Sequence, residues 1–384
     1  EEGWYSIPPL LYARWMAVKC RPYLKEEARR RAEETEAYRG WLQAQQPDEA
    51  QRMQQRARRF SHRLSILIPT YNTRPDLLNA LVDSLLAQTC ESWEACFYDG
   101  ASPNQATRDA LAAVAKRDPR LRVTFGTENL NISGNTNRAL DMAQYDYVAL
   151  LDHDDLLTAD AVYCVLAAAE DGADMIYSDE DKCNEAGDRF FDPHLKADFA
   201  PDTLRSGNYI CHLMAMRRSL MEEAGRLRSQ CDGSQDHDLA LRASEGAERI
   251  THIPRILYHW RMLDSSVSHQ GAARCVNAAV AAVDDQLKRL KLPGRVYMDE
   301  LRVRIAYDIP ADASVSLIVT CLEQGAARYL KALRKRTDFP FAEVLTVGGG
   351  EDLRWGDKPC TIVPDTGRVT DGIHEAARRE KGQY

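Results

Sequence analysis

The feature of this sequence that most limits its fold is an alternation of short apolar runs and amphipathic stretches between residues 64 and 169. The runs have the length and residue types of buried strands, and the stretches between them have helical spacing. Strands that alternate with helices form a parallel sheet covered on both faces. We therefore predict an α/β fold whose mostly parallel sheet is flanked by helices.

The predicted elements can be assigned to residues. Strands are expected at Ser65–Ile68, Ala95–Tyr98, Arg122–Phe125 and Tyr147–Leu151. Helices are expected from Pro75 onward and at Gln105–Lys116, Asn135–Ala143 and Ala159–Ala169. Ligands bind beyond the carboxyl ends of the strands in such sheets, so polar residues that follow the strands are candidate site residues.

The first 62 residues differ from the rest, and we predict an N-terminal helical arm over 1–62. It opens with an apolar cluster that includes Trp4 and Trp15, and thirteen basic and nine acidic residues lie between Glu1 and Arg63. Pro47 and the two acids after it mark a helix start. We expect the arm to pack on the main domain. The alternative is a peripheral contact with an anionic membrane.

The end of the chain repeats the start of the alternating region. The segment "LSILIPTYN" at Leu64 is similar to "VSLIVTCLE" at Val315, and "QTCESWEACFYDG" at Gln88 is similar to "RTDFPFAEVLTVG" at Arg336. Matched residues lie 248 to 251 positions apart, which indicates a duplicated unit.

This repeat defines the predicted domain organisation. After the arm, we expect a main domain over 63–290, a linker over 291–314 and a partial, degenerate second copy over 315–384. The second copy stops about halfway along the first, so we expect the chain to be part of a longer protein.

Composition excludes several classes of protein. The net charge of −8 disfavours an extended nucleic-acid-binding surface. No apolar run approaches the ~20 residues of a membrane-spanning helix. Ten cysteines without a CxxC pair indicate a reducing compartment, so we expect a cytoplasmic location. The sequence also lacks the phosphate-loop, dinucleotide-binding and nucleophile-elbow motifs.

Carboxylates follow two of the predicted strands. Asp99 comes after the second strand, and Asp152, Asp154 and Asp155 come after the fourth in "ALLDHDDLL". Carboxylate oxygens at such a position suit Mg²⁺ or Mn²⁺, which commonly bridge to the phosphates of a substrate. The alternative is a turn that caps a helix, since Asp favours both.

Two further segments carry acids. "IYSDEDK" contributes residues 179–181, either as a solvated turn or as part of the site. In "DGSQDHDLALR", Asp236 and Asp238 open a predicted helix. An acid there can favour the helix N-terminus through its charge, or act as a general base on an incoming hydroxyl.

Nine segments now occur in order: "SILIPTYNT", "YDGAS", "ENLNISGNTNRAL", "LLDHDDLL", "YSDEDK", "FDPHLKADF", "LRSGNYICH", "DGSQDHDLALR" and "HIPRILYHWR". Together they resemble a family 2 glycosyltransferase with the GT-A (Rossmann-like) fold, of the bacterial type with two tandem domains. The resemblance covers about residues 64–290 well and 315–384 loosely. It implies transfer of a sugar from a nucleotide donor to an acceptor hydroxyl, with inversion at the anomeric carbon.

The resemblance also implies roles for individual residues. Asp236 would be the catalytic base. Asp152 and Asp154 would hold the metal against the diphosphate, with His259 as a further metal or phosphate contact. The residues implied for donor binding are Pro69, Thr70, Tyr71, Asn72, Asp99, Asn129, Asn137, Asp152 and Arg261, of which Asp99 would hydrogen-bond the base.

The sequence departs from the family pattern at two positions. Many members have a second acid where this chain has Gly100, and an Arg where it has Thr136. A phosphate contact would then come from elsewhere, such as Arg138. In the second copy Gly348 stands where the first has Asp99, so we predict that this copy binds no donor.

The implied function is a metal-dependent, inverting glycosyltransferase that uses Mn²⁺ or Mg²⁺ and a UDP- or dTDP-sugar. Its acceptor would be a glycan or lipid-linked hydroxyl in cell-surface polysaccharide synthesis, at the inner face of the plasma membrane. A metal is expected because a diphosphate leaving group develops negative charge that a cation stabilises. The alternative is a non-catalytic scaffold that binds a nucleotide or a partner.

Overall fold

The computed structural model describes residues 36–263, 272–310, 312–320, 326–337, 341, 343–348, 352–364 and 368–379. The chain divides into two compact units, the first ending at Ala306 and the second beginning at Tyr307. This division falls inside the segment 291–314 that we predicted as a linker.

The described residues of the first unit form one large sheet. Its strands are β1 Leu64–Thr70, β2 Trp93–Asp99, β3 Leu121–Phe125, β4 Tyr147–Leu150, β5 Leu156–Leu157, β6 Met175–Cys183, β7 Phe190–His194, β8 Met214–Arg217 and β9 Ile250–Arg261. Their order is β3-β2-β1-β4-β8-β6-β9-β5, with β7 paired to β6. Strands β1 to β4 are parallel, β8 is antiparallel to β4 and β6, and β9 is parallel to β6. The predicted α/β fold is confirmed, with a sheet that is parallel over four strands and mixed beyond them.

Strands β1 and β2 are buried along their whole length. Leu64, Ile66 and Ile68 enter the core on one face of the sheet, and Leu67 enters the core on the other. Since both faces are covered, neither strand needs a polar side, which explains the apolar runs without alternation.

The first unit has ten α-helices within the described residues: α1 at 36–45, α2 Glu49–Ala57, α3 Pro75–Leu86, α4 Gln105–Val114, α5 Asn131–Met142, α6 Ala161–Glu170, α7 Pro201–Ser206, α8 Arg218–Glu223, α9 Gln235–Gly246 and α10 Ala272–Leu290. Helix α3 begins at Pro75 as predicted, because proline suits a first helical turn. Helix α5 begins before the expected Asn135. Its first turn contains weak helix formers and is held instead by tertiary contacts, such as the Ser133 hydroxyl on the Arg228 carbonyl.

Helices α1 and α2 are the described part of the predicted arm. Asp48 and Gln51 form a capping box at the start of α2. The arm contacts the rest of the unit, since the Tyr38 hydroxyl donates to Asp181 Oδ2 at 2.6 Å and Arg255 Nη2 donates to the Gln45 carbonyl at 2.5 Å. The apolar cluster behind the membrane interpretation lies outside the described residues. None of the helices in the described part of the chain is long and apolar enough to cross a membrane.

The segment after α10 is structured rather than extended. Strands β10 Gly294–Asp299 and β11 Arg302–Tyr307 pair with each other. Val303 is buried, and Val296 and Ile305 pack on the same core as helices α9 and α10. Part of the predicted linker therefore belongs to the first unit.

The second unit contains the described strands β12 Ser316–Thr320, β13 Glu343–Val347, β14 Arg354–Trp355, β15 Lys358–Pro359 and β16 Thr361–Val363, with helices α11 Ala326–Arg334 and α12 Val369–Arg379. Strands β12, β13 and β16 form a parallel sheet. Ser316 pairs with Glu343 in this sheet, as Ser65 pairs with Glu94 in the first unit. The repeat seen in the sequence is therefore also a repeat of strand register.

Candidate active site

The carboxyl ends of β1 and β2 meet at one edge of the sheet. Thr70 and Asp99 end these strands and are neighbours in the ladder. The Asp99 carboxylate is fully buried and accepts hydrogen bonds from the Ser102 amide at 2.9 Å, the Ser102 hydroxyl at 2.5 Å and the Thr70 hydroxyl at 3.4 Å. Asp99 thus lies where predicted, and in this structure its oxygens hold the turn that follows β2.

The residues after β1 continue this edge. Pro69 is buried and Tyr71 is exposed. Asn72 has a positive φ of 52°, and its backbone N–H donates to the Ser102 hydroxyl at 2.7 Å. The predicted nucleoside-binding residues are therefore together at the strand ends, next to the turn that Asp99 organises.

Asn135, which sequence analysis did not select, fills the space beside Gly100. A Cβ atom added to Gly100 would lie 2.9 Å from Asn135 Cγ, closer than real Cβ contacts. The Asn135 side chain donates from Nδ2 to Asn129 Oδ1 at 2.9 Å, and its Oδ1 accepts from the Leu130 backbone N–H at 3.2 Å. A larger side chain at position 100 would therefore require the Asn135 side chain to move.

Asn137 faces away from this edge. Its Nδ2 donates to the Leu227 carbonyl at 2.9 Å, and its Oδ1 accepts from the Leu227 amide at 3.1 Å. Both ends of the side chain are used by the fold. Asn137 therefore holds the Leu227 backbone in this structure, and its predicted contact with the donor stays a prediction.

The acidic turn after β4 forms the next part of the edge. Asp152 and Asp154 are half-buried, whereas Asp155 is buried. The Asp155 carboxylate accepts from the Tyr258 hydroxyl at 2.5 Å and from the Arg261 amide at 2.7 Å. Burial, together with the charges of Asp154 and Asp152, raises the pKa of Asp155 well above its ordinary value.

Asp152 stands between acids and a histidine. Burial raises the pKa of its carboxyl, and the charges of Asp154 and Asp236 add to this effect, while His212 opposes it. Removing carboxylates from water next to one another is unfavourable unless a cation is shared between them.

Two groups of described residues bring possible metal ligands together. The ligand atoms of Asp152, Asp155 and His212 all lie within 4.8 Å of one another. The ligand atoms of Glu180, Cys211 and His212 meet the same limit. His212 belongs to both groups. It stacks on Tyr258 with ring centroids 4.6 Å apart.

This arrangement differs from the metal ligands that the resemblance implied. Asp154 lies beside His153, with Oδ1 and Nδ1 3.8 Å apart, and is absent from the groups found among the described residues. His259 is also absent from them; its Nδ1 is hydrogen-bonded to the buried Asp181, which leaves Nε2 as its possible ligand atom, and its ring centroid lies 4.2 Å from that of Phe190. Asp152 is thus the predicted ligand that the described groups contain, and the assignment of Asp154 and His259 as ligands stays a prediction.

Arg261 is buried behind the acidic turn. Its Nε donates to the Asp154 carbonyl at 2.5 Å, its Nη1 donates to the Glu185 carbonyl at 2.6 Å, and its amide holds Asp155. Its Nη2 is buried with no hydrogen-bond partner among the described residues. Arg261 therefore positions the turn in this structure, and its predicted contact with the diphosphate stays a prediction.

The acids of "IYSDEDK" are not a solvated turn. They lie in strand β6, are buried, and each is paired with a histidine: Asp179 with His252, Glu180 with His194 and Asp181 with His259.

Two acids open helix α9 and differ in their surroundings. Asp236 is half-buried, and its Oδ2 accepts from Asn208 Nδ2 at 2.7 Å. Asp238 is fully buried, and its Oδ2 accepts hydrogen bonds from Arg228 Nε at 3.0 Å and from Arg242 Nη2 at 2.6 Å. Of these two acids, only Asp236 is partly exposed, and its charge acts on Asp152.

Comparison with known proteins identifies the domain. Residues 65–225 match the model of the family described as Glycosyl transferase family 2. The chain is 37% identical over 259 residues to the uncharacterized protein y4gI of Sinorhizobium fredii, covering 65% of this chain and 28% of that protein. It is 30% identical over 319 residues to the O-antigen biosynthesis protein RfbC of Myxococcus xanthus, covering 81% of this chain and 25% of that protein.

The chain thus spans about a quarter of the length of these two curated relatives. Among solved structures it is similar to S. aureus TarS in complex with UDP-GlcNAc, with a TM-score of 0.48 and 15% identity over 59% of this chain and 66% of that one. The segment 65–225, which contains the ends of β1 and β2 and the acidic turn after β4, is a glycosyl transferase family 2 domain.

Proposed function

We propose that this domain is a metal-dependent, inverting glycosyltransferase that moves a sugar from a UDP- or dTDP-sugar to a hydroxyl of a glycan or lipid-linked acceptor. The observation that carries the proposal is the cluster of Asp152, Asp155 and His212, whose ligand atoms lie within 4.8 Å of one another. The half-buried Asp236 is close enough for its charge to act on Asp152. This combination supplies a cation site and a separate base, which are what a single displacement needs.

The residues of the cluster fit a divalent cation. Carboxylate oxygens and one imidazole nitrogen are ligands that Mn²⁺ accepts, while Mg²⁺ favours the carboxylates. The raised pKa values of Asp152 and Asp155 reflect buried, mutually repelling acids that a cation would stabilise as carboxylates. When bound, the ion would offset the negative charge that develops on the departing diphosphate.

The chain's own residues would do the remaining work. Pro69, Thr70 and Tyr71 would line the nucleoside pocket, and the turn held by Asp99 would shape it. Asp236 would accept the proton of the attacking hydroxyl. Attack on the face opposite the leaving group inverts the anomeric carbon, since no covalent intermediate is formed.

We further propose that the product belongs to a cell-surface polysaccharide and that the enzyme works at the cytoplasmic face of the membrane. The name of RfbC, an O-antigen biosynthesis protein, supports this acceptor class. We also propose that the catalytic domain spans residues 63–290 and that residues 315–384 are a partial copy that binds no donor. Gly348, at the position of Asp99, supports this last point.

The test is nucleotide release from a panel of UDP- and dTDP-sugars with Mn²⁺, with Mg²⁺ and with EDTA. Asp152→Asn removes a proposed ligand, and Asp109→Asn changes an exposed carboxylate on α4 as a matched control. We expect release that needs the metal, is lost in Asp152→Asn and is retained in Asp109→Asn. Absence of both release and metal-dependent nucleotide binding in the unaltered chain would favour the scaffold alternative and contradict the proposal.

A further inference from the structure

One short loop, residues 207–213, joins the proposed base to the proposed cation site. At its start, Asn208 Nδ2 donates to Asp236 Oδ2 at 2.7 Å, and Asn208 Oδ1 accepts from the Cys211 amide at 3.1 Å. At its end, His212 has its ring in the cation cluster. The same seven residues therefore contact both parts of the site.

The orientation of the Asn208 amide follows from its partners. The Cys211 backbone N–H can only donate, so it must face the oxygen of Asn208. A carboxylate can only accept, so Asp236 must face the nitrogen. Aspartate at position 208 would satisfy the first partner and repel the second, which separates the two contacts experimentally.

The loop is held from beneath by a buried lysine. The Lys196 side chain is fully buried, and its Nζ donates to the Ile210 carbonyl at 2.6 Å and to the His212 carbonyl. The His212 amide in turn donates to Glu180 Oε2 at 2.9 Å, and Lys196 lies 3.5 Å from the same oxygen. Because the loop is fixed on both sides, Asn208 meets Asp236 from a rigid support rather than from a mobile segment.

We propose that Asn208 is a positioning residue for the base: it holds Asp236 Oδ2 so that the other carboxylate oxygen, Oδ1, faces the acceptor hydroxyl. In the described part of the chain Asn208 is the hydrogen-bond partner found for the Asp236 carboxylate. The inference rests on the proposed function, since it assigns Asn208 a role only if Asp236 removes a proton. It concerns transfer and not binding of the donor, because Asn208 is in neither cation cluster.

The test uses the full chain with its best donor and acceptor, and compares Asn208→Asp, Asp236→Asn and the double variant. Asn208→Asp keeps an acceptor for the Cys211 amide and replaces the donor to Asp236 with a repelling oxygen. We expect kcat to fall about 10- to 100-fold, because misplacement of a reacting group has effects of this size. The KM for the donor and the Mn²⁺-dependent affinity for UDP should stay within about twofold.

The double variant shows whether the effect passes through Asp236. In the Asp236→Asn background, the change at position 208 should produce no further loss, since residues that act through one group are not additive. Asn208→Ala adds no charge to the site, and its kcat should also fall relative to wild type.

Two results would overturn the inference. One is an active wild type with equally active Asn208→Asp and Asn208→Ala variants. The other is a fall in kcat from Asn208→Asp that has the same factor in the wild-type and in the Asp236→Asn background. Failure of the proposed function has a different signature, namely a wild-type chain that shows no metal-dependent transfer at all.

Discussion

The Ser316 hydroxyl donates to Glu343 Oε1 at 3.0 Å across two parallel strands, and Ser65 makes the same bond to Glu94 at 2.8 Å. In both units the partners are paired in register at the start of the first two strands. The repeat in the sequence shows only that residue types recur at a constant spacing. The Ser–Glu hydrogen bond in both units also requires that the strands pair in the same register. The two units therefore have the same local structure at these strands, and they differ at the end of the second strand, where Gly348 corresponds to Asp99.

Two histidines distinguish the cation cluster from the predicted ligand set. We expect His212→Ala to weaken Mn²⁺-dependent UDP binding by at least about tenfold, because loss of one ligand has an effect of this order or more. His259→Ala should leave that affinity nearly unchanged, since His259 belongs to neither ligand group found among the described residues. Calorimetric titration of both variants with UDP and Mn²⁺ measures this. If His259→Ala weakens the binding and His212→Ala does not, His259 is the metal ligand, as the resemblance implies.

Removal of charge from the two acids at the start of α9 should affect different properties, stability for Asp238 and turnover for Asp236. Asp238→Asn leaves two arginines around a neutral side chain, so we expect a loss of about 3–5 kcal/mol in the free energy of unfolding. Asp236→Asn should change the free energy of unfolding by less than about 0.5 kcal/mol and lower turnover about 100- to 10,000-fold. Denaturant unfolding and nucleotide release measure the two effects. Strong destabilisation by Asp236→Asn would assign that residue to the fold.

The contact between Gly100 and Asn135 predicts a steric effect. Gly100→Ala should lower the free energy of unfolding by about 1–3 kcal/mol, since the new methyl group overlaps the Asn135 amide. Gly40→Ala is the control, because nothing lies within 4 Å of a Cβ there. Combined with Asn135→Ala, the loss from Gly100→Ala should shrink. Equal losses in both backgrounds would show that another contact is responsible.

Asp155 predicts a dependence of stability on pH in EDTA. Its pKa is raised in the folded state, so folding favours the protonated form. The stabilisation is complete below the ordinary pKa of the unfolded chain and is lost as pH rises through the folded pKa. Asp155→Asn keeps a neutral side chain beside Tyr258, so its melting temperature should fall less than that of wild type as pH is raised from about 5 to 8. A steeper fall in the variant would contradict this assignment.

Sequence analysis identified the strands and the acids at their ends because those signals are local. It did not identify His212 as a possible ligand, since this residue reaches Asp152 and Asp155 only through the loop before β8, and no spacing in the chain reports that contact. The choice between Asn135 and Asn137 depended on helix phase. Two positions along a helix rotate a side chain by about 200°, so one asparagine faces the site and the other faces Leu227.

The acidic turn posed a similar problem. Asp154 and Asp155 are adjacent, and either fits a pattern of paired carboxylates. Burial of Asp155 against Tyr258 and Arg261, two residues more than 100 positions further along the chain, decides which of them lies inward.

The contacts of Tyr38 and Gln45 bear on whether the catalytic domain is self-sufficient. Asp181 and Arg255 each use a partner from the arm, a hydroxyl in one case and a carbonyl in the other. A protein trimmed to residue 63 would present both groups with fewer bonds than the fold was built around, and Asp181 is the residue that holds His259. We therefore expect a fragment that starts at residue 63 to be less stable than one that keeps residues 36–62, with those residues packed as an outer layer on the proposed catalytic domain.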